Sequence, residues 1–465
     1  MLVTKTFKSD PVLLKKYDVS GPRYTSYPTA AQFTDTFNEQ DYLQALNNDV
    51  SSKAPLSLYI HLPFCRSICY YCACNKIVTK DKTVVRHYLD YLRKEMALIR
   101  LQLDVYQRPV TQLHWGGGTP TFLDEAEMTE LMHHTASYFT LETQQGRDYS
   151  IEIDPRTVNH QTIDLLRGLG FNRVSLGVQD VNKTVQKAIN RVQDIDELTD
   201  LVAYIRTRSF RSLNFDLIYG LPFQTEITMN QTLDKVIELS PDRISCYNYA
   251  HLPERFTSQR AIDRHTLPNA DQKVGMLALI IRRFTEAGYV YIGMDHFVKP
   301  DDSLAIARQD GTLCRNFQGY SIAKATDLVG MGVSSISSFD RVYAQNHRTL
   351  EHYYQALDAS QLPVAHGLML TDEDVLRRTV IQRLSCYREL NIPELEGAFS
   401  IDFKLHFSKA ISQLEPLIED DIIELSQNSL AVTDKGFPFL RNICMAFDQY
   451  LEESRQKGYT YSKTL

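Results

Sequence analysis

Residues 56–76 read LSLYIHLPFCRSICYYCACNK: an apolar run from Leu56 to Phe64 breaks into a loop that carries Cys65, Cys69, Cys72 and Cys74. A short apolar run closed by loop residues reads as a buried strand. Five more runs of this kind follow it: TQLHWGGG (111–118), YSIEIDP (149–155), RVSLGVQD (173–180), LNFDLIYGLP (213–222) and RISCYNYAHLP (243–253). Helical patterns separate them. In TVVRHYLDYLRKEMALIRLQL (83–103), Val84, Tyr88, Leu92, Met96 and Ile99 fall at i+3 and i+4 spacing on one face, and TIDLLRGLGF and ELTDLVAYIRTRSF continue the alternation. Repeated β-then-α units require crossover connections and a parallel sheet. Six of them predict an α/β fold closed into a full or partial barrel, with its chemistry in the loops after the strands.

Beyond about residue 366 the pattern changes to helices (EDVLRRTVIQRLSC, IDFKLHFSKAISQLEPLIED) and then IIELSQNSLAVTDKG, which reads as a hairpin. The expected organisation is an arm over 1–48, a catalytic barrel over 49–365 and a mainly α-helical, winged-helix-like domain over 366–465. Between 371 and 436 there are 7 Lys and Arg against 13 Asp and Glu, the wrong sign for a groove-reading helix. The whole chain is 465 residues with formal net charge −7, which gives no footing for nucleic-acid binding. No apolar stretch is long enough to span a membrane, and charge interrupts the N-terminal run MLVTKTFKSDPVLLKKYD, so a cytoplasmic protein is expected.

Four of the eight cysteines crowd into the first loop, while Cys246, Cys314, Cys386 and Cys444 are scattered. That distribution reads as a metal site in a reducing compartment, with the scattered thiols buried in the core. Structural zinc wants four ligands, commonly two separated close pairs, and no second such pair occurs. Cys74 would complete a set of four, but Cys72-x-Cys74 presents successive side chains awkwardly to one tetrahedron. Three cysteines suit an iron–sulfur cluster with one iron left open. His114-Trp115-Gly116-Gly117-Gly118-Thr119-Pro120, after the second strand, is neither a dinucleotide fingerprint nor a P-loop. Its bare backbone allows a ligand to approach closely.

The Cys-x3-Cys-x2-Cys spacing and the glycine run resemble the radical SAM superfamily. The chain is further similar, almost end to end, to the oxygen-independent coproporphyrinogen III oxidase family. GPRYTSYPTA, YIHLPFCRSICYYCACNK, LHWGGGTPT, IEIDPR, LGVQD, NFDLIYGLP, YNYAHLP, YIGMDHF, RNFQGY, LVGMGVSSIS and RNICMAFDQYL carry that likeness. The resemblance implies a partial triosephosphate-isomerase-type (β/α)6 barrel with an N-terminal arm and a helical C-terminal domain over the site. It implies that two propionates of coproporphyrinogen III are oxidatively decarboxylated to vinyls, giving protoporphyrinogen IX in anaerobic haem synthesis.

By the same resemblance, Cys65, Cys69 and Cys72 bind a 4Fe–4S cluster, and Cys74 is a non-ligand needed for activity. Two S-adenosylmethionine (SAM) molecules are expected. Tyr59, Gly117, Glu152 and Ile336 match positions contacting the first; Tyr71, Gly118, Thr119, Gln179, Arg191, Asp216 and Ala250 match positions contacting the second. Tyr71 stands where phenylalanine is also found, which leaves stacking intact. Cys74, Tyr59 and Glu152 are the catalytic candidates. The residues themselves fit parts of this: Glu152 and Asp216 are acids in otherwise apolar strands, suited to an ammonium or to ribose hydroxyls, and Arg191 suits a carboxylate. Four substrate carboxylates call for cations or amides, and Arg23, Arg315, Phe317 and Gln318 are the candidates.

The implied mechanism begins with reductive cleavage of SAM. The adenosyl radical takes a β-hydrogen from a propionate, and loss of carbon dioxide and one more electron leaves the vinyl. A reduced protein donor such as a flavodoxin or ferredoxin supplies the first electron, and the family resemblance implies a monomer. Two other readings predict different things. A haem-binding chaperone of the same superfamily would lack the fourth cysteine and be shorter at its ends. A zinc-stapled binding protein would be colourless.

Overall fold

The computed structural model describes residues 10–48, 54–103, 105, 107–144, 146–322, 326–459 and 461–464. The expected boundary between arm and barrel at 48/49 abuts residues 49–53, which lie outside the described residues, as do residues 1–9 of the arm.

All six expected strands form: β1 (Leu56–Leu62), β2 (Val110–Gly117), β3 (Asp148–Ile153), β4 (Arg173–Gln179), β5 (Ser212–Tyr219) and β6 (Arg243–Asn248). They pair in parallel in chain order. Six further strands extend the sheet: β7 (Val290–Gly293), β8 (His296–Val298), β9 (Asp327–Met331), β10 (Ile336–Phe339), β11 (Val342–Asn346) and β12 (Val364–Met369). The full order is β12-β11-β10-β9-β1-β2-β3-β4-β5-β6-β8-β7. β9 is a seventh parallel strand beside β1, while β8 caps β6 in the antiparallel sense. β1 and β6 do not pair with each other, so the barrel is partial. The expected domain limit at 365/366 falls inside β12, whose residues pair with β11 as far as Met369.

The helix Lys82–Gln102 packs on the outside of this sheet. It buries Tyr88, Leu92, Met96 and Ile99 as its spacing predicts, but Val85 rather than Val84 is fully inside, and Glu95 is buried with them. Each such apolar side chain contributes about 1.5–3 kcal/mol relative to exposure. The buried Glu95 accepts hydrogen bonds from the Gly332 N–H at 2.7 Å, Asn346 Nδ2 at 2.6 Å and the Tyr353 hydroxyl at 2.6 Å. It thereby fixes the turn after β9.

After the sheet, helix Asp372–Tyr387 begins at a capping box made by Thr371 and Asp374. The expected hairpin is Ile423–Leu425 with Ser429–Val432, and Glu389–Asn391 adds a third strand to it. The arm does not hang free. Thr34 bridges to Gly367 and Ser20 to Lys463, and Tyr24 and Tyr27 are buried beneath the C-terminal domain.

Candidate active site

Strands buried on both faces should be apolar throughout. Here every second residue on the inner face is polar instead: Ser150 and Glu152 on β3, Ser175 on β4, Asn214 and Asp216 on β5, Ser245 and Tyr247 on β6. Period-two alternation turns these side chains into the barrel lumen. Two cavities occupy that lumen. One, of about 420 Å³, lies at the strands' C-terminal ends under the cysteine loop. The other, of about 180 Å³, lies deeper, and Glu152, Ser175, Asp216 and Tyr247 border both.

Cys65, Cys69, Cys72 and Cys74 all line the upper cavity, together with Tyr71, Gly117, Gly118, Thr119, Glu152, Gln179, Arg191 and Asp216. Of the expected cofactor residues, Tyr59, Ala250 and Ile336 stand back from it. Tyr59 stacks on His114 with ring centroids 5.8 Å apart, and the Ala250 carbonyl accepts from Gln259 Nε2. The substrate candidates lie elsewhere. Arg23 donates to the Asn248 carbonyl at 2.9 Å, Arg315 is buried and donates to the Tyr24 carbonyl, and Phe317 packs between Phe33 and Tyr343. Gln318 borders the deeper cavity.

Local backbone bonds fix the cysteine loop. The Gly118 and Thr119 N–H groups donate to the Leu62 and Phe64 carbonyls, and Ile77 and Thr79 donate to those of Pro63 and Cys65. Gly117 has φ +110°, and a Cβ there would lie 2.5 Å from the His61 ring. At Gly118 a Cβ would lie 2.6 Å from the Pro63 carbonyl carbon. Close approach therefore requires glycine at both positions, and at Gly117 the positive φ requires it as well.

The loop's sulfurs face donors. Thr119 Oγ1 lies 3.5 Å from Cys65 Sγ, Arg191 Nη1 3.5 Å and Arg156 Nη2 3.8 Å from Cys69 Sγ. Cys74 donates its S–H to Cys72. That bond pulls the Cys72 thiol down to about 6 and holds Cys74 well above its ordinary value. Burial pushes Cys65 up to about 11 in the absence of a metal's charge. Among the described residues no three His, Cys, Asp or Glu side chains converge tightly enough for one metal ion. Four free sulfurs instead border a cavity with room for a multi-atom cluster, and the O–H and N–H groups aimed at Cys65 and Cys69 suit thiolate ligands.

Two acids define the opposite wall. Burial works against the charge of Glu152, but hydrogen bonds from His114 and the Gly117 N–H hold its carboxyl below the ordinary value. Asp216 is pushed up to about 6 by burial, though Ser175 and Asn214 donate to it. Arg191, expected to face a ligand carboxylate, has its fork engaged within the protein: Nη1 meets Asp154 at 2.9 Å, and Nη2 donates to the Gly177 carbonyl at 2.7 Å.

Asp154, Arg156, His114 and His61 escaped the sequence reading. Asp154 pairs with both Arg191 and Arg156. His114 bridges Ser150 and Glu152. His61 Nε2–H donates to the Asn75 carbonyl, so Nδ1 accepts from the Tyr59 hydroxyl, and burial keeps this ring neutral. The signal that finds the histidines is the period-two polarity of strands whose neighbours are apolar.

Residues 59–236 match the Radical SAM superfamily, and 370–439 match the HemN C-terminal domain. An oxygen-independent coproporphyrinogen III oxidase from Pseudomonas aeruginosa is 47% identical over 455 residues, covering 98% of this chain and 99% of that protein. The chain belongs to the oxygen-independent coproporphyrinogen III oxidase family. The same enzyme from Escherichia coli strain K12 is 46% identical over 96% of each chain. The solved Escherichia coli coproporphyrinogen III oxidase (HemN), described as a radical SAM enzyme, superposes with TM-score 0.91 and 43% identity, covering 96% of this chain and all of that one. As a radical SAM family, these oxidases use a 4Fe–4S cluster and SAM, the cofactors to which the cysteine loop and cavity are suited.

Proposed function

We propose that the protein oxidatively decarboxylates two propionate side chains of coproporphyrinogen III to vinyls, giving protoporphyrinogen IX in haem biosynthesis. The observation that carries this reading is the gathering of the four loop cysteines, the glycine run, Glu152 and Asp216 around one cavity at the ends of the barrel strands. When bound, a reduced cluster and SAM would supply radical chemistry suited to the non-acidic β-hydrogen of a propionate, which no acid or base in the site would remove.

The chain's own residues do the rest. Cys65, Cys69 and Cys72 would hold the cluster, with Thr119, Arg156 and Arg191 donating to their sulfurs and stabilising negative charge there. Glu152, kept ionised, meets the cationic amino group of SAM. Gly117 and Gly118 let backbone approach the ligand, and Tyr71, Gln179 and Asp216 complete a second SAM position. Tyr59, held by neutral His61, turns its hydroxyl lone pair away from the imidazole. Cys74 holds a proton beside Cys72 and reaches into the cavity. Arg23, Arg315, Phe317 and Gln318 form the substrate side, on the face where the arm and the C-terminal domain meet the barrel.

The protein works in this reading as a cytoplasmic monomer fed by a reduced electron-carrier protein. Among the described residues no helix is long and apolar enough to cross a membrane. The test is an anoxic turnover with reconstituted protein, SAM, reductant, an electron acceptor and coproporphyrinogen III, followed by mass spectrometry. Protoporphyrinogen and 5′-deoxyadenosine, both abolished by Cys65→Ser, are the expected result. A fully loaded protein that makes neither product and binds haem tightly is a chaperone instead.

A further inference from the structure

The proposed reaction needs an electron delivered from outside, and the cysteine loop is the part of the site nearest solvent: Cys69 and Cys72 are half-buried and Arg66 and Ser67 exposed. Three chain segments grip this loop. Asn190 Nδ2 donates to the Ile68 carbonyl and the Tyr70 N–H to the Ile189 carbonyl, which seats the helix Lys183–Ala188 on one side. Ser258 and Gln259 donate to the Cys72 and Tyr71 carbonyls, which seats the 253–261 segment on the other. Asn75 Nδ2 donates to the Arg348 carbonyl, which brings the 346–350 turn against the loop's end.

These contacts surround the loop with cations. Across 66–81, 183–190, 253–261 and 346–350 there are eight Lys and Arg against two acids, on a chain whose net charge is −7. Arg66, Lys80, Lys187, Arg255, Arg260 and Arg348 are all exposed. Of these six only Arg66 borders the cavity under the cysteine loop. Apolar points lie among them, with Val78 46% and Val192 49% exposed.

We infer that this collar is the docking face for a small acidic electron-carrier protein, whose redox group is thereby brought against the cysteine loop. The inference rests on the function proposed above. Redox encounters use small interfaces, under about 1,200 Å². Opposite charge around a small apolar centre supplies their speed and orientation rather than great affinity. The juxtaposition of collar and cysteine loop is what makes the face specific.

The test uses the reconstituted holoenzyme and purified oxidised flavodoxin as the probe, with binding measured by anaerobic titration calorimetry. Binding is expected at low salt and should weaken about tenfold or more when salt is raised through about 0.1 M, where the screening length falls to about 10 Å. The triple variant Lys80→Glu, Lys187→Glu, Arg255→Glu should weaken binding at least about tenfold and lose flavodoxin-driven turnover. Its iron content and dithionite-driven 5′-deoxyadenosine formation should match wild type. No binding at low salt, or equal binding by the variant, overturns the inference. A raised KM for coproporphyrinogen with unchanged flavodoxin affinity assigns the collar to the substrate's carboxylates and also overturns it. Dithionite failing to drive 5′-deoxyadenosine formation in wild type would count against the proposed function, independently of the binding result.

Discussion

Asp154→Asn isolates the charge pairing that supports the site. Asp154 and Arg191 have side chains each 8% exposed, 2.9 Å apart, and Asp154 also meets Arg156, whose side chain is 23% exposed, at 2.7 Å. Removing one partner of a buried pair costs about 3–5 kcal/mol, because the surviving charge stays buried without its counterion. Arg191 would keep its bonds to the Gly177 carbonyl and Arg156 would reach solvent, which places this case near the lower figure. About 3 kcal/mol is roughly a hundredfold in the folding equilibrium. The chain's one tryptophan, Trp115, is fully buried in β2 and reports barrel unfolding by fluorescence during guanidinium titration. The pH dependence has a definite sign. Burial opposes the Asp154 charge, but Arg156 and Arg191 outweigh it and hold the carboxyl below its ordinary value. Its stabilisation is therefore complete above the unfolded carboxylate range and is lost as pH falls below about 4. Wild type and variant should converge in stability there. A loss under about 1 kcal/mol at neutral pH, or a gap that persists undiminished in acid, refutes the pairing argument.

Gly118→Ala should displace the Pro63–Phe64 backbone that presents Cys65, so iron and sulfide content after reconstitution should fall well below wild type while far-ultraviolet dichroism is retained. Glu95→Gln places an amide donor among three existing donors in the core and should cost about 2–3 kcal/mol in denaturant titration; Glu95 is pushed up to about 7, chiefly by burial, so wild-type stability should decline as pH rises through that value. Asp216, pushed up to about 6, should lend SAM binding a pH dependence, with affinity weakening below pH 6, that Asp216→Asn abolishes in equilibrium binding measurements.

Much of this was legible in one dimension because strands and clustered cysteines announce themselves locally. The six apolar runs, the helix over 83–103 and the hairpin near residue 425 all form where their patterns place them. The cysteine loop and glycine run also sit together, since each directly follows a strand and neighbouring parallel strands end side by side. β9 through β12 were less legible: strands this short carry little local signal, and β9 joins β1 across more than two hundred residues. The arm's burial was likewise hidden, since Tyr24 and Tyr27 are polar-tipped residues in a segment without periodicity.

The sequence by itself determined the class of fold, the cysteine cluster after the first strand and the acids of the barrel strands, because spacing and alternation are properties of neighbouring residues. Tertiary structure alone decided which polar and charged groups are engaged. Arg191 is committed to Asp154 and Gly177, His61 to Tyr59 and Asn75, and Glu152 is held ionised by His114 and a backbone N–H. Those outcomes depend on burial and on which distant groups the fold brings within hydrogen-bonding reach, and electrostatics in a low-dielectric interior is set by that three-dimensional proximity rather than by order along the chain.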